Sequence, residues 1–153
     1  MITVLLIVHG LLAVALLGAL THQSFAVSRP PAAPKGTFVG RFRGVHTPAF
    51  TTVVVLLFVV TALGGGLLYP QYRMDVRTTL EDLQMRAANG VFEMKEHFVA
   101  VGLGLLPAYL VVWRTPLDPS LATARRATTW MLAVIVWWSY LVGHVLNNIK
   151  GLL

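Results

Sequence analysis

Hydrophobic residues fall into four long runs, over 2–21, 48–69, 97–113 and 128–146. A helix that crosses a bilayer needs about 20 mostly apolar residues. Each run is therefore predicted to be a membrane-spanning helix, and the polar stretches between them to be connections. "SRPPAAPKG" (28–36) must end the first helix, because its three prolines remove backbone donors. "TFVGRFRGVH" (37–46) mixes basic and aromatic residues, and is expected at the lipid headgroups. Pro48 then sits in the first turn of the second helix, where proline is tolerated. "TALGGGLLYP" (61–70) is expected to close that helix. Its glycine run weakens a helix end but allows close approach of backbones.

"PQYRMDVRTTLEDLQMRAANG" (70–90) is the longest polar segment. Met74, Leu80, Leu83 and Ala87 recur in it at roughly helical spacing. This predicts a short amphipathic helix on the membrane surface between the second and third spans. Gly90 is expected to break the chain before the third span. "TPLDPSLATARR" (115–126) joins the last two spans, with Ser120 as the expected N-cap of the fourth. The chain shows no internal repeat. The pattern predicts an all-α four-helix bundle forming one transmembrane domain over 1–153.

Composition agrees with that pattern. The chain is 56% hydrophobic and only 12% charged, against about 25% charged in soluble domains. The first span lacks the basic flank of a signal peptide and its apolar run is long for one, so it is expected to be retained. There is no cysteine. That excludes disulfides, thiolate metal sites and cysteine-attached haem, and leaves histidine, carboxylate, methionine or backbone to hold any metal.

The net charge of +6 comes from residues beside the spans, where topology and anionic lipid account for it. No basic stripe or stacking motif points to nucleic acid. Arg29, Lys35, Arg41, Arg43, Arg114, Arg125 and Arg126 make seven cations on one side of the membrane. Arg73, Arg77, Arg86, Lys95 and Lys150 make five on the other. The bias predicts an integral protein of the bacterial inner membrane, with both termini outside the cytoplasm.

Candidate chemistry resides in the histidines. An even number of crossings puts His9, His97 and His144 within about 10–12 Å of one face, at 1.5 Å rise per residue. His22 and His46 lie near the opposite face, beside a polar loop. An ionisable side chain inside a span is costly and faces the bundle or a wet cavity. His9, within "LLIVHGLLAVALLG", is either a neutral residue hydrogen-bonded between helices or a ligand. His97 and His144 are either interfacial residues beside water or ligands.

Several neighbours suit ligation. Glu93 is one turn before His97 and can receive its second ring proton. Asn147 and Asn148 can serve His144 in the same way. Gly10 adjoins His9, and Gly104, on the face of His97, can leave room for a flat macrocycle. Trp130 and Trp137 share a heptad face with His144, as an aromatic belt or as part of a site.

Two chemistries fit these residues. Histidines on facing helices can ligate a haem iron within the apolar bundle. Alternatively, His9, His97, His144 and Glu93 form a nitrogen-and-oxygen site for copper or zinc. No nucleophile motif and no acidic pair within a span suggests other catalysis. Thr51, Thr52 and Thr61 are expected to bond back to their own helix. Inverted repeats and broken helices of the transporter kind are absent from the pattern.

The layout resembles a known family type. The carrying motifs are a first-helix histidine in "IVHGLLAVALLGALTH", a second helix preceded by "RFRGVHTP", and a third opening with "FEMKEHFVAVGLGLL". These resemble the small four-helix membrane proteins of the copper-resistance CopD type and the HemJ-type protoporphyrinogen oxidases. In those families the first-helix histidine, and a His or Lys opening the third helix, are associated with haem b. The resemblance implies His9 at the first position and Lys95 or His97 at the second. The order here is Lys-Glu-His, where the HemJ type has His-x-Lys.

The expected function is a haem b-binding membrane protein in electron transfer or redox chemistry. His9 is one expected axial ligand, and His97 or His144 the other. Whether the chain is itself a membrane oxidoreductase or a subunit of one stays open. A quinone, a larger respiratory complex or a second copy of the chain are the expected kinds of partner. The alternative is a non-redox role, as a copper-handling or accessory subunit.

Overall fold

The computed structural model describes residues 2–28, 36–37, 45, 48–115 and 118–151. His46, the loop-one cations and prolines, and all of the basic-aromatic segment except Thr37 and Val45 lie outside the described residues. Helix α1 spans Ile2–Val27, and α2 spans Pro48–Gln71. A π-helical turn, Tyr72–Val76, carries α2 directly into the short α3, Arg77–Asp82. Helix α4 spans Arg86–Arg114. A 3₁₀ turn at Pro119–Leu121 leads into α5, Ala122–Gly151.

Four helices among the described residues are long and apolar enough to cross a membrane. The protein is an all-α membrane bundle. Helix α1 packs mainly on α2 and α5, and α4 on the same two. The four long helices thus form a ring in chain order, with α1 diagonal to α4. One end holds both termini and the α2–α4 connection. The other holds loops one and three.

The helices run further than the apolar runs, for local reasons. Pro70 was expected to end α2, yet it lies inside the helix. Proline lacks the N–H for an i→i−4 bond and crowds the preceding turn. The helix widens just after it, where Arg77 N–H bonds to Tyr72 O, five residues back. The expected amphipathic helix is therefore α3, attached to the second span rather than separate. Of its apolar positions Leu80 is buried, at 2% exposure, while Met74 and Leu83 are exposed.

Gly90 does not break the chain but sits within α4. The break comes earlier, at Leu83–Met85. There Gln84 N–H bonds to Glu81 O at 3.0 Å and Met85 N–H to Leu80 O at 2.8 Å. Gln84 takes a left-handed φ of 58°. This pair of bonds is a Schellman ending, with glutamine where glycine is usual. At the start of the last span, Asp118 rather than Ser120 is the cap. Its Oδ1 accepts from Ser120 N–H at 2.9 Å and from the Ser120 hydroxyl at 2.7 Å. Pro119 in the first turn needs no partner for a donor.

Packing divides the bundle into two halves. Toward loops one and three the core is dense, with Leu16, Leu20, Val54, Tyr109, Trp113 and Leu132 among its buried members. Most of its polar groups are paired, the Ser24 hydroxyl being an exception. The Tyr109 hydroxyl donates to Gln23 Oε1 across the α1–α4 diagonal. Gln23 Nε2 donates to Val45 O at 3.3 Å. Buried Arg125 donates to the carbonyls of Val112, Thr115 and Asp118. It thereby satisfies acceptors that the end of α4 would leave unpaired.

Gly102 is packed tightly by side chains of two neighbouring helices. A Cβ there would lie 2.5 Å from Phe58 Cζ and 3.3 Å from Ile135 Cγ2. Toward the termini, by contrast, the bundle is hollow.

Candidate functional site

The hollow is a cavity of about 550 Å³ bounded by all four long helices. That volume lies within the roughly 300–1,000 Å³ range of small-molecule and cofactor sites. Leu16, Phe58, Val99 and Ile135 line it at the level where the dense core begins. Its wall is largely apolar, as membrane helices dictate, but several polar residues interrupt it.

His9 lines the cavity from α1. Its ring rests on the α2 backbone at the glycine run. A Cβ on Gly64 would lie 3.1 Å from His9 Nδ1, and one on Gly65 3.4 Å from Cε1. The glycines thus let an imidazole lie against a helix backbone, whereas in the sequence they suggested only close helix approach. His9 Nδ1 is buried and makes no hydrogen bond of ordinary geometry, although the Thr61 backbone lies close to the ring. Thr61 and Ser139 line the same cavity, and their hydroxyl oxygens are buried without partners. Thr61 therefore departs from the expected back-bond to its own helix.

His144 lines the cavity from α5. Asn148 Nδ2 donates to His144 Nε2 at 3.2 Å, so Asn148 meets this ring as a donor to it rather than as the expected acceptor of its second ring proton. The His144 ring also lies parallel to Tyr140, with centroids 6.0 Å apart. His9 follows Ile2 by seven residues and His144 precedes Gly151 by seven, so both sit about 10 Å from their helix ends. They approach from different sides of α1. His9 faces α2. His144 shares its α5 face with Trp130 and Trp137, whose indoles donate to α1 at Ser28 Oγ (2.8 Å) and Thr21 Oγ1 (2.9 Å). Those tryptophans tie α5 to α1.

His97 stands apart. It is exposed, as His144 is, but unlike His144 it is not among the residues that line the cavity. Its Nδ1 donates to the backbone carbonyl of Glu93 at 2.7 Å, rather than to the Glu93 carboxylate. That carboxylate turns to Arg77, 3.5 Å away. One turn of helix separates the two residues, but exposure draws both side chains away from the bundle.

Gly104 also lies outside the cavity, while Gly10 borders it. The structure does not bring His9, His97, His144 and Glu93 together. Among the described residues no three or more histidine and carboxylate side chains converge as metal ligands. His22 is half-buried on α1 near loop one, away from the cavity.

The opening of α4 sends other residues inward. Lys95 and Glu96 both line the cavity, paired at 2.9 Å. The Lys95 ammonium also lies 4.3 Å from the centroid of Phe92. Phe92 stacks on Tyr72, whose hydroxyl donates to Asn89 Oδ1 at 3.0 Å. An ion pair inside a membrane bundle marks a functional site more often than a structural one. Glu96, Thr61, Ser139 and Tyr140 were not read as site residues from the sequence. Glu96 carried a usable signal, since it lies three and four residues from Phe92 and Val99–Ala100 on one helical face.

Comparison with family models, curated proteins and solved structures returns no match. The likeness to CopD-type and HemJ-type proteins rests on the motifs alone. Of its two implied third-helix positions, Lys95 faces the cavity and His97 does not.

Proposed function

We propose that this chain is a membrane redox protein that binds haem b in the cavity at the termini end. One observation carries the reading: a buried histidine inside a membrane span, with no hydrogen bond of ordinary geometry at Nδ1, lines a cavity of cofactor size. A buried polar atom without a well-formed hydrogen bond is costly and calls for a partner. His9 and His144, the two histidines that line the cavity, would hold the iron. Lys95 would offer a cation to the carboxylates of the cofactor. A bound haem supplies one-electron chemistry at the iron. The chain's own part is to hold the ring nitrogens, exclude water with apolar walls and keep a charge pair at the rim.

This reading extends to location and partners. The protein would reside in a bacterial inner membrane with both termini outside, as the cation bias suggests. It would exchange electrons with a quinone or a larger respiratory complex, as an oxidoreductase or a subunit of one. The copper reading asks for convergent ligands, and no observation favours it.

The test is a reduced-minus-oxidised visible spectrum of the protein from haem-replete cells. The wild type is expected to show a b-type α-band. His9→Ala should abolish it and His97→Ala should leave it unchanged. A colourless wild type, or a band that survives His9→Ala, defeats the proposal.

A further inference from the structure

The cavity has an apolar side opening. Ile7, Leu11 and Val14 line it, yet they are 57%, 66% and 50% exposed. They lie on the side of α1 away from His9, in a span whose surroundings are hydrocarbon. On α5 the cavity is lined by Val136, Tyr140 and Gly143. Between these two rows lies a cleft. Gly10 and Gly143 both border it, and a Cβ at either would meet nothing within 4 Å. Farther along, the same seam is held shut by Trp137 on Thr21 and Trp130 on Ser28.

We infer that the cavity is loaded from within the bilayer, through the α1–α5 cleft at Gly10 and Gly143. Its ligand is then an amphiphile that partitions into hydrocarbon. The wall of exposed aliphatic side chains offers no hydration to a charged solute in passage, so a soluble ion or sugar would meet a desolvation barrier there. An amphiphile moves along the cleft with its apolar part still in hydrocarbon. Its polar part reaches His9 and the unpaired hydroxyls of Thr61 and Ser139 only once inside. This inference adds a route and a ligand class to the haem reading, on which its first assay rests.

Haem-free protein is reconstituted in phosphatidylcholine vesicles and mixed with vesicles carrying hemin, and the Soret band is followed in time. Gly10→Leu and Gly143→Leu place a side chain in the cleft. Gly18→Leu and Gly104→Leu are the controls, since those glycines also face open space but do not line the cavity. Leucine is the better helix former at all four sites. The cleft variants are expected to load at about one-tenth of the wild-type rate or slower, and the controls at the wild-type rate. Gly10→Ala and Gly143→Ala, with smaller side chains, should show intermediate slowing if leucine disturbs folding.

Cleft variants that load as fast as wild type overturn the route. A wild type that takes up no hemin overturns the haem reading alone. Native mass spectrometry of the same proteins then decides the route. A retained amphiphile in wild type and controls, lost from the cleft variants, supports it. Equal occupancy in all, or none in any, overturns it.

Discussion

His9 is a side chain whose position depends on what its neighbour lacks. Gly64 and Gly66 are two residues apart in one glycine run, yet a methyl group means different things at each. At Gly64 it would press on His9 Nδ1 at 3.1 Å, and at Gly66 it would meet nothing. Gly66→Ala is therefore expected to stabilise the protein by about 0.5–1 kcal/mol through helix propensity. Gly64→Ala should gain less or lose stability, and should alter any absorption that depends on His9. Thermal unfolding in detergent and the difference spectrum check both, and indistinguishable variants would refute the contact.

Asp118 gives a residue-scale test of pH. Hydrogen bonds from the Ser120 hydroxyl and N–H hold its carboxyl below the usual carboxylate range. A depressed folded-state value adds stability above the unfolded value, and that stability is lost as pH falls through the folded one. Asp118→Ala should lower the unfolding temperature at neutral pH. The gap to wild type should close as the medium is acidified below the carboxylate range. A gap independent of pH would mean that the charge of this cap does not contribute.

Among the elements, the second span shows how local chemistry is overridden. Pro70 is a helix breaker by itself, but the helix continues into α3 through a π turn. Burial of Leu80 in a small cluster with Phe92, Val142 and Leu146 rewards that continuation. The chain then reverses at a left-handed Gln84. A side chain in that conformation costs roughly 1–2 kcal/mol relative to glycine. Gln84→Gly is expected to recover up to about 1 kcal/mol, read as a higher unfolding midpoint, while Gln84→Val should lower it. The reverse order would show that the turn does not adopt this geometry in the membrane.

For the whole molecule, the two halves of the bundle carry different burdens. The half toward loops one and three is filled and its buried polar groups are largely paired, so it holds the fold together. The half toward the termini contains the cavity and several unpaired polar atoms. A ligand that binds only the folded state adds about 2.7 kcal/mol at a hundred-fold excess over its Kd. Hemin is therefore expected to raise the unfolding midpoint of wild type in a concentration-dependent way and to leave His9→Ala unmoved. Equal shifts in both proteins would point to adsorption on the apolar surface instead.

The four spans, their antiparallel order and the membrane class were legible in the sequence, because the hydrocarbon core imposes one length and one polarity on any helix that crosses it. That His9 and His144 lie toward the same end of the bundle was legible too, since chain order fixes the direction of each helix. Rotation was not. Helices apolar on most sides leave the inward face undetermined until neighbours pack. Only the tertiary structure separated Glu96 inside from Glu93 outside, turned His97 away from the bundle, set the imidazole of His9 on the backbone of Gly64–Gly65 and opened a cleft at Gly10 and Gly143. Each of those outcomes depends on which faces meet across the ring of helices, a contact between residues far apart in the chain.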